Sequence, residues 1–304
     1  MNIDSKVVAI LGPTASGKSA LAFFFARKYN GEIVSCDSVQ IFKYLNIGSA
    51  KPEPEILVSI KHHLIDVFEP DFQIDVGIYK NLAEKAILVI QSRNKVPFLV
   101  GGTGMYFNSL YFGLFSAPPR NESIRKKLEE TISQNGISYL YEELKKVDPV
   151  SASKISSNDR RRIIRALEVY QLTGKPISQL QQNNQKIPFK WLILYIDVDR
   201  KKLYERINNR VEEMLKKGLI EETRDIIKKF GSDAYGLVSI GYRQVKEYLN
   251  GKLSFEEMKE LIKKETRHYA KRQITWFKKI PNIIFVKPEN LEEIEDLIKK
   301  FLES

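Results

Sequence analysis

The chain has 304 residues, enough to bury a full core as one large domain or two smaller ones. A hydrophobic content of 43% excludes a disordered chain, and the single cysteine, Cys36, excludes an internal disulfide or a cysteine-based zinc site. Lysine plus arginine is 49 against 38 aspartate plus glutamate, and the resulting charge of +11 suits a polyanionic partner such as nucleic acid or an acidic membrane surface.

Lys6–Leu11 reads KVVAIL, a short apolar run rich in β-branched residues, and predicts a buried strand. GPTASGKS follows, comprising Gly12, Pro13, Thr14, Ala15, Ser16, Gly17, Lys18 and Ser19, with the P-loop spacing G-x-x-x-x-G-K-[ST]. Lys18–Tyr29 lacks glycine and proline and predicts a helix, so the motif has the strand–turn–helix context it needs. Loop amides there point inward at a helix N-terminus, Lys18 adds a point charge, and Ser19 offers a hydroxyl to Mg²⁺. Whose phosphates the loop holds stays open at this point.

Strands are predicted next at Glu32–Cys36, His62–Asp66 and Pro97–Val100, with helices at Pro54–Ile60 and Ile78–Arg93. The alternation predicts an α/β fold with a parallel sheet, whose ligands sit at the carboxyl ends of the strands. Asp37-Ser38 falls on that edge, where a carboxylate serves as a general base or orders a Mg²⁺ shell, and where both residues equally suit a turn cap. Cys36 reads as a small buried residue. His62 and His63 are neighbours in a strand and point to opposite faces, so a structural role is expected rather than a shared ion. Gly101-Gly102-Thr103-Gly104 reads as a flexible loop that admits close approach of backbone or substrate.

Ala117-Pro118-Pro119 breaks the alternation. Ser123–Gln134, Ile137–Val147 and Asn158–Leu172 then read as helices, closed by Gly174, Pro176 and the polar run 181–185. Asp159-Arg160-Arg161-Arg162 opens the third of them. Arg161 and Arg165 share one face and Ile163 and Ile164 turn to the core; a solvated face is the ordinary reading of such a run, and the use of arginine rather than lysine shifts it toward phosphate contacts. Trp191–Ile196 returns to a buried-strand pattern, and after Arg200 the chain reads as helical almost to its end. Three segments are therefore expected: 1–117 as the first part of a P-loop core, 118–190 as a helical insertion, and 191–304 as core completion with C-terminal helices. On Lys201–Lys217, Arg206 and Arg210 share a face and are positioned to stabilise a phosphate leaving group, or else are surface arginines. Thr266 to Phe277 mixes basic and aromatic residues, as base stacking with phosphate contact requires, and equally as a wet amphipathic helix does. No signal-peptide pattern opens MNIDSKVVAIL and no apolar run approaches the roughly 18 residues that span a bilayer, so a soluble cytoplasmic protein without membrane contact is expected.

Taken in order, GPTASGKS, DSVQIFKYLNIGSAKP, HHLIDV, GGTGMYFNSL, DRRRIIRALEVY, NNRVEEMLKKGLIEE, SIGYRQV and RHYAKRQITWF resemble the tRNA dimethylallyltransferase, or isopentenyl-tRNA transferase, family from residue 12 to about 277. The resemblance implies a P-loop NTPase-like core with a helical tRNA-binding insertion; the oligomeric state stays open, a monomer without an obligate protein partner being the default expectation. It implies that the P-loop holds dimethylallyl diphosphate, with no nucleoside triphosphate consumed, and that the prenyl group goes to N6 of the adenosine 3′-adjacent to the anticodon in a tRNA anticodon stem-loop.

Carried over position by position, Asp37 is the implied general base or orienting acceptor for that amine, Thr103 stands beside the reacting centre, Arg210 and Lys18 stabilise the departing diphosphate, and Ser19 binds Mg²⁺. Asp37, Ser38, Val39, Gln40, Thr103, Arg125, Arg161, Arg162, Ile163, Ile164, Arg165, Arg243, Gln244, Arg267, Lys271 and Arg272 match tRNA-contacting segments. Phe42 stands where the family often has tyrosine, and the cysteines of a zinc finger found in some eukaryotic members have no counterpart. A small-molecule P-loop kinase and a non-enzymatic RNA-binding protein are the rival readings. The first predicts ATP turnover without RNA, and the second leaves the P-loop and Asp37 without a task.

Overall fold

A computed structural model of the chain describes residues 5–116 and 118–304. Contacts divide it into two compact units, one formed by residues up to Leu110 together with Pro188–Ser304, the other by Tyr111–Ile187. The second unit, 111–187, begins ahead of the segment 118–190 read as an insertion, and the predicted boundary at Ala117 lies outside the described residues.

The first unit is built on a six-stranded sheet with every described pairing parallel: β1 (Lys6–Leu11), β2 (Gly31–Cys36), β3 (His62–His63), β4 (Val96–Gly101), β5 (Lys190–Ile196) and β6 (Ile283–Val286), in the order β3-β2-β4-β1-β5-β6. Strands covered on both faces read as unbroken apolar runs, and every residue of β1 and β4 is buried. The helix Lys18–Lys28 buries Leu21, Ala22, Phe25 and Ala26 against Val8, Ile10, Phe98 and Leu194, and the helix Val76–Ser92 packs on β2 and β4.

Register decides what the sheet presents at its carboxyl edge. Leu11 pairs with Gly101 and with Tyr195, and Cys36 pairs with Gly101. Three strands therefore end level, and the residues that follow them, Gly12, Asp37 and Gly102, leave the sheet side by side.

Two elements correct the sequence reading. The stretch after Arg200 is not wholly helical, because Ile283–Val286 joins β5 as an edge strand. Gly104–Tyr111 is a helix held by buried Tyr106, Phe107 and Leu110, although it opens on glycine. The expected flexibility of Gly101–Gly104 is also not what the fold uses. A Cβ on Gly101 would meet the Cys36 carbonyl oxygen at 2.0 Å, and one on Gly104 would meet Trp276 at 2.4 Å, so these glycines serve close packing of the chain on itself.

In the second unit, helices Glu122–Asn135, Ile137–Val147 and Arg160–Thr173 bury Leu128, Leu140, Leu144, Ile163, Ile164 and Leu167. The first and third are capped by side chains: Asn121 Oδ1 accepts from Ile124 N at 3.0 Å and Asp159 Oδ1 from Arg162 N at 3.1 Å. Among the described residues no helix is long and apolar enough to cross a membrane.

Candidate active site

The P-loop is shaped by its own backbone. Ser16 N donates to Pro13 O at 3.3 Å, and Ala15 and Gly17 take φ of 62° and 91°. No atom lies within 4 Å of where a Gly17 Cβ would be, so conformation and not space demands glycine there. The first bond of the following helix runs from Leu21 N to Gly17 O at 3.3 Å, which leaves the amides before Leu21 turned toward the loop opening. Lys18 Nζ donates to Pro13 O at 3.2 Å. Burial pulls its ammonium down to about 8, the Asp37 carboxylate opposing and the Arg210 guanidinium adding to the fall.

Asp37 leaves β2 level with that loop. Its Oδ1 accepts Val39 N at 2.8 Å and Gln40 N at 3.2 Å, so the turn-cap reading is correct for one oxygen. Its Oδ2 makes no hydrogen bond among the described residues, and is the oxygen left for chemistry. Thr103 stands next to it: Thr103 Oγ1 accepts Ser38 N at 3.1 Å, and Thr103 N donates to Cys36 O at 3.1 Å.

Arg210 reaches the same edge from the helix Arg200–Lys216, its Nη1 lying 3.5 Å from Thr14 Oγ1. Burial lowers its guanidinium while Asp37 holds it up, yet arginine stays charged. Two cations and one half-free carboxylate thus share the head of the P-loop. Cys36 is buried, with burial pushing its thiol up to about 12, as expected of a packing residue. His62 Nδ1 bonds Ile60 O at 2.7 Å and His63 Nε2 bonds Glu32 Oε2 at 2.7 Å, which gives both histidines the structural role expected.

Two site residues escaped the sequence reading. Gln273 Oε1 accepts Thr14 N at 2.9 Å and its Nε2 donates to Gly102 O at 2.9 Å. Tyr269, one turn earlier on the same helix, faces the same edge: burial, and then the Asp37 carboxylate, push its hydroxyl well above the ordinary tyrosine range, with Thr103 opposing. Their spacing of four residues within RHYAKRQITWF was the available signal, since it puts both on one helical face.

The candidate tRNA contacts are of different kinds. Arg161 and Arg162 are exposed on the helical unit, as are Arg243, Lys271 and Arg272 on the core unit. Arg267 is half-buried and donates to Asn208 Oδ1 at 2.7 Å. Ile163 and Ile164 are corrected: their side chains are 0% and 3% exposed within the helical core and offer tRNA no surface. Gln244 is corrected likewise, being fully buried with its Oε1 accepting Gly241 N at 2.8 Å. Arg125 and Arg165 both bind the buried Glu168, at 2.9 Å and 2.6 Å, and so organise their own unit. Ser38, Val39 and Gln40 lie partly exposed in the turn that Asp37 caps.

A family model described as IPP transferase matches residues 40–280. A tRNA dimethylallyltransferase of Acetivibrio thermocellus is 44% identical over 297 residues, spanning 96% of this chain and 95% of that one. Another, from a Thermoanaerobacter species, is 46% identical over 306 residues, spanning 98% and 97%. The crystal structure of the full-length tRNA isopentenylpyrophosphate transferase of Bacillus halodurans has a TM-score of 0.72 at 35% identity, with 99% of this chain and 97% of that one covered. A eukaryotic dimethylallyltransferase, described as acting on tRNA, gives 0.80 at 28% identity, with 98% and 77% covered. This chain therefore belongs to the IPP transferase family, that of the tRNA dimethylallyltransferases.

Proposed function

We propose that the protein transfers the dimethylallyl group of dimethylallyl diphosphate to N6 of the adenosine 3′-adjacent to the anticodon in tRNA, releasing diphosphate. The observation that carries this reading is the half-free carboxylate of Asp37 level with a P-loop headed by Lys18 and Arg210. Diphosphate binds loop amides from Ala15 to Ser19 that point to the opening, as any anion does at a helix N-terminus, while those of Thr14 and Ser16 are held by Gln273 Oε1 and Pro13 O. The N6 amine attacks C1 of the dimethylallyl group as the C1–O bond breaks. The N6 proton passes to Asp37 Oδ2, and the negative charge appearing on the leaving oxygen meets Lys18 and Arg210. An aryl amine is a weak nucleophile, so both aids are needed. Thr103, fixed by Ser38, positions the reacting base.

Among the described residues no three His, Cys, Asp or Glu side chains form a metal cluster. Mg²⁺ needs none when diphosphate oxygens and water fill most of its shell, and the exposed Ser19 hydroxyl, free of hydrogen bonds among the described residues, fits as the one protein ligand. When bound there, Mg²⁺ neutralises diphosphate charge.

Arg161 and Arg162 on one unit, and Arg243, Arg267, Lys271 and Arg272 on the other, offer cations to the tRNA backbone, with the anticodon stem-loop as target. The loop is single-stranded, so turning out its base costs little. The test is label transfer from labelled dimethylallyl diphosphate to unmodified tRNA with Mg²⁺ and no ATP. Label recovered in N6-modified adenosine supports the reading, and an ATP requirement or an unlabelled nucleoside pool refutes it.

A further inference from the structure

Glu222 lies in the first turn of the helix Leu219–Phe230, and its carboxylate grips a distant loop. Oε2 accepts Asn46 N at 3.1 Å and Ile47 N at 2.9 Å. Oε1 accepts Ile47 N at 3.0 Å, Gly48 N at 3.4 Å and the Tyr242 hydroxyl at 2.6 Å. The same hydroxyl accepts Gly48 N at 3.0 Å. Three successive amides pointing at one carboxylate form an anion nest, here filled by the protein itself. Tyr242 is fully buried, and a Cβ on Gly48 would fall 2.5 Å from its ring, so only glycine lets the loop lie this close.

The gripped loop leads back to Asp37. Gln40 Nε2 donates to the carbonyls of Ser49 and Ala50 at 3.4 Å and 3.3 Å, while Ser35 Oγ donates to its Oε1 at 3.1 Å. The backbone N–H of Gln40 is one of the two donors on Asp37 Oδ1. Lys51 closes the far end: its Nζ donates to Phe42 O at 2.6 Å and Asn46 Oδ1 at 3.0 Å and pairs with Asp66. Asp37 itself is only half-buried, so its surroundings do not wedge it in place. What aims its free oxygen is the turn from Val39 to Gln40, and what holds Gln40 is the loop on Glu222.

We infer that Glu222 and Tyr242 are positioning residues for the transfer reaction, fixing the segment 46–50 so that Gln40 keeps the free oxygen of Asp37 aimed at its substrate. The inference rests on the reaction proposed above. Neither residue touches substrate in this account. Both act through Gln40 and then Asp37, so their effect must vanish when Asp37 is already disabled.

Glu222→Gln keeps the side-chain length but turns an NH₂ group toward backbone N–H donors. Tyr242→Phe removes only the bridging hydroxyl. Turnover at saturating tRNA and dimethylallyl diphosphate should fall about 10- to 100-fold in each, the scale of a small misplacement at a reacting centre. Affinity for inorganic diphosphate, read by calorimetry, should be unchanged, because the P-loop belongs to a different element. Glu222→Asp should recover part of the rate. In an Asp37→Asn background, Glu222→Gln should cost no further turnover. Wild-type rates in both variants, an additive loss on top of Asp37→Asn, or loss of diphosphate affinity in step with turnover would overturn the inference. Should Glu222→Gln fail to fold, Tyr242→Phe decides alone. A wild-type protein that transfers no label would instead defeat the reaction, and the positioning role with it.

Discussion

The side-chain oxygen of Gln273 accepts the backbone N–H of Thr14 at 2.9 Å across 259 residues of chain. The nitrogen of the same carboxamide donates to Gly102 O at 2.9 Å, and a Cβ on Gly102 would fall 2.2 Å from it. One buried amide in the helix Phe255–Phe277 therefore ties the P-loop after β1 to the turn after β4. The first carries Lys18 and the second carries Thr103, so Gln273 sets the distance between the group that holds the donor and the group beside the acceptor.

Gln273→Glu should test that tie with little change in shape. It replaces a donor by an acceptor facing a carbonyl, while the other oxygen keeps Thr14. A buried polar group left without its partner costs about 1–3 kcal/mol. The thermal midpoint should drop by a few degrees, and turnover should fall by more than the folded fraction does. Parallel melts and label-transfer rates check this, and a variant with the wild-type melt and rate would show that the tie is dispensable.

Asp37→Asn separates the two jobs of that side chain. An asparagine Oδ1 can still accept from Val39 and Gln40, so the turn persists. The anionic oxygen is gone, and with it the proton acceptor. Turnover should fall by roughly 10²- to 10⁴-fold, the usual worth of a placed base, while tRNA affinity stays nearly intact. Filter binding beside single-turnover kinetics decides the matter. A large loss of affinity with normal turnover would make Asp37 a tRNA contact and not the base.

Much of this was readable in the sequence where signals are local. The strand Lys6–Leu11, the P-loop and the helix after it each carry their pattern within a dozen residues, and they place Lys18 and Ser19 without further help. Ile283–Val286 is four residues long and becomes a strand only by pairing with β5, which no local pattern encodes. Gly104–Tyr111 opens on a poor helix former and is decided by packing. The site divides the same way. All six lie in the stretches quoted above, but Asp37 and Arg210 carry charges that phosphate-transfer chemistry asks for, whereas Gln273, Tyr269, Glu222 and Tyr242 are polar residues on amphipathic helices, and such residues read as solvated until their distant partners are known. Arg125 and Arg165 show the reverse error, since charge was visible and the buried carboxylate between them was not.

Glu168 should be the electrostatic keystone of the helical unit. It is fully buried and takes Arg125 Nε at 2.9 Å, Arg165 Nη1 at 2.6 Å and Asn121 N at 2.8 Å. Burial pushes its carboxyl up, but Arg125, the Asn121 amide and Arg165 together hold it below the ordinary glutamate range. Its contribution is thus fully present above that range and is lost as pH falls through the lower native value. Glu168→Gln leaves two guanidiniums facing a neutral group. Both are about a quarter exposed, at 25% and 28%, so solvent screening places the cost at the lower end of a broken buried pair, about 3 kcal/mol. Amide hydrogen exchange along Arg160–Thr173 should speed up accordingly, with exchange in β1 and β4 unchanged. Equal acceleration in both units would refute a local role.

Lys18 should make diphosphate binding sensitive to mild alkali. Burial brings its ammonium down to about 8 in the empty loop, and a bound anion favours the charged form. Binding is therefore strongest below pH 8, where the proton is already in place, and weakens by up to about tenfold per pH unit above it. For folding the sign is opposite. The native group sheds its proton more readily than the ordinary value of 10.5 allows, so the unfolded chain binds more protons between 8 and 10.5, and this lysine's penalty to stability eases as pH rises through that window. Lys18→Arg keeps the charge at every pH in that range, and should bind inorganic diphosphate with a flat profile from pH 7 to about 10 once the ligand's own ionisation, common to both proteins, is divided out. Calorimetric titrations of the two proteins across that interval check the claim. Parallel profiles would mean that another group, and not Lys18, sets the alkaline limb.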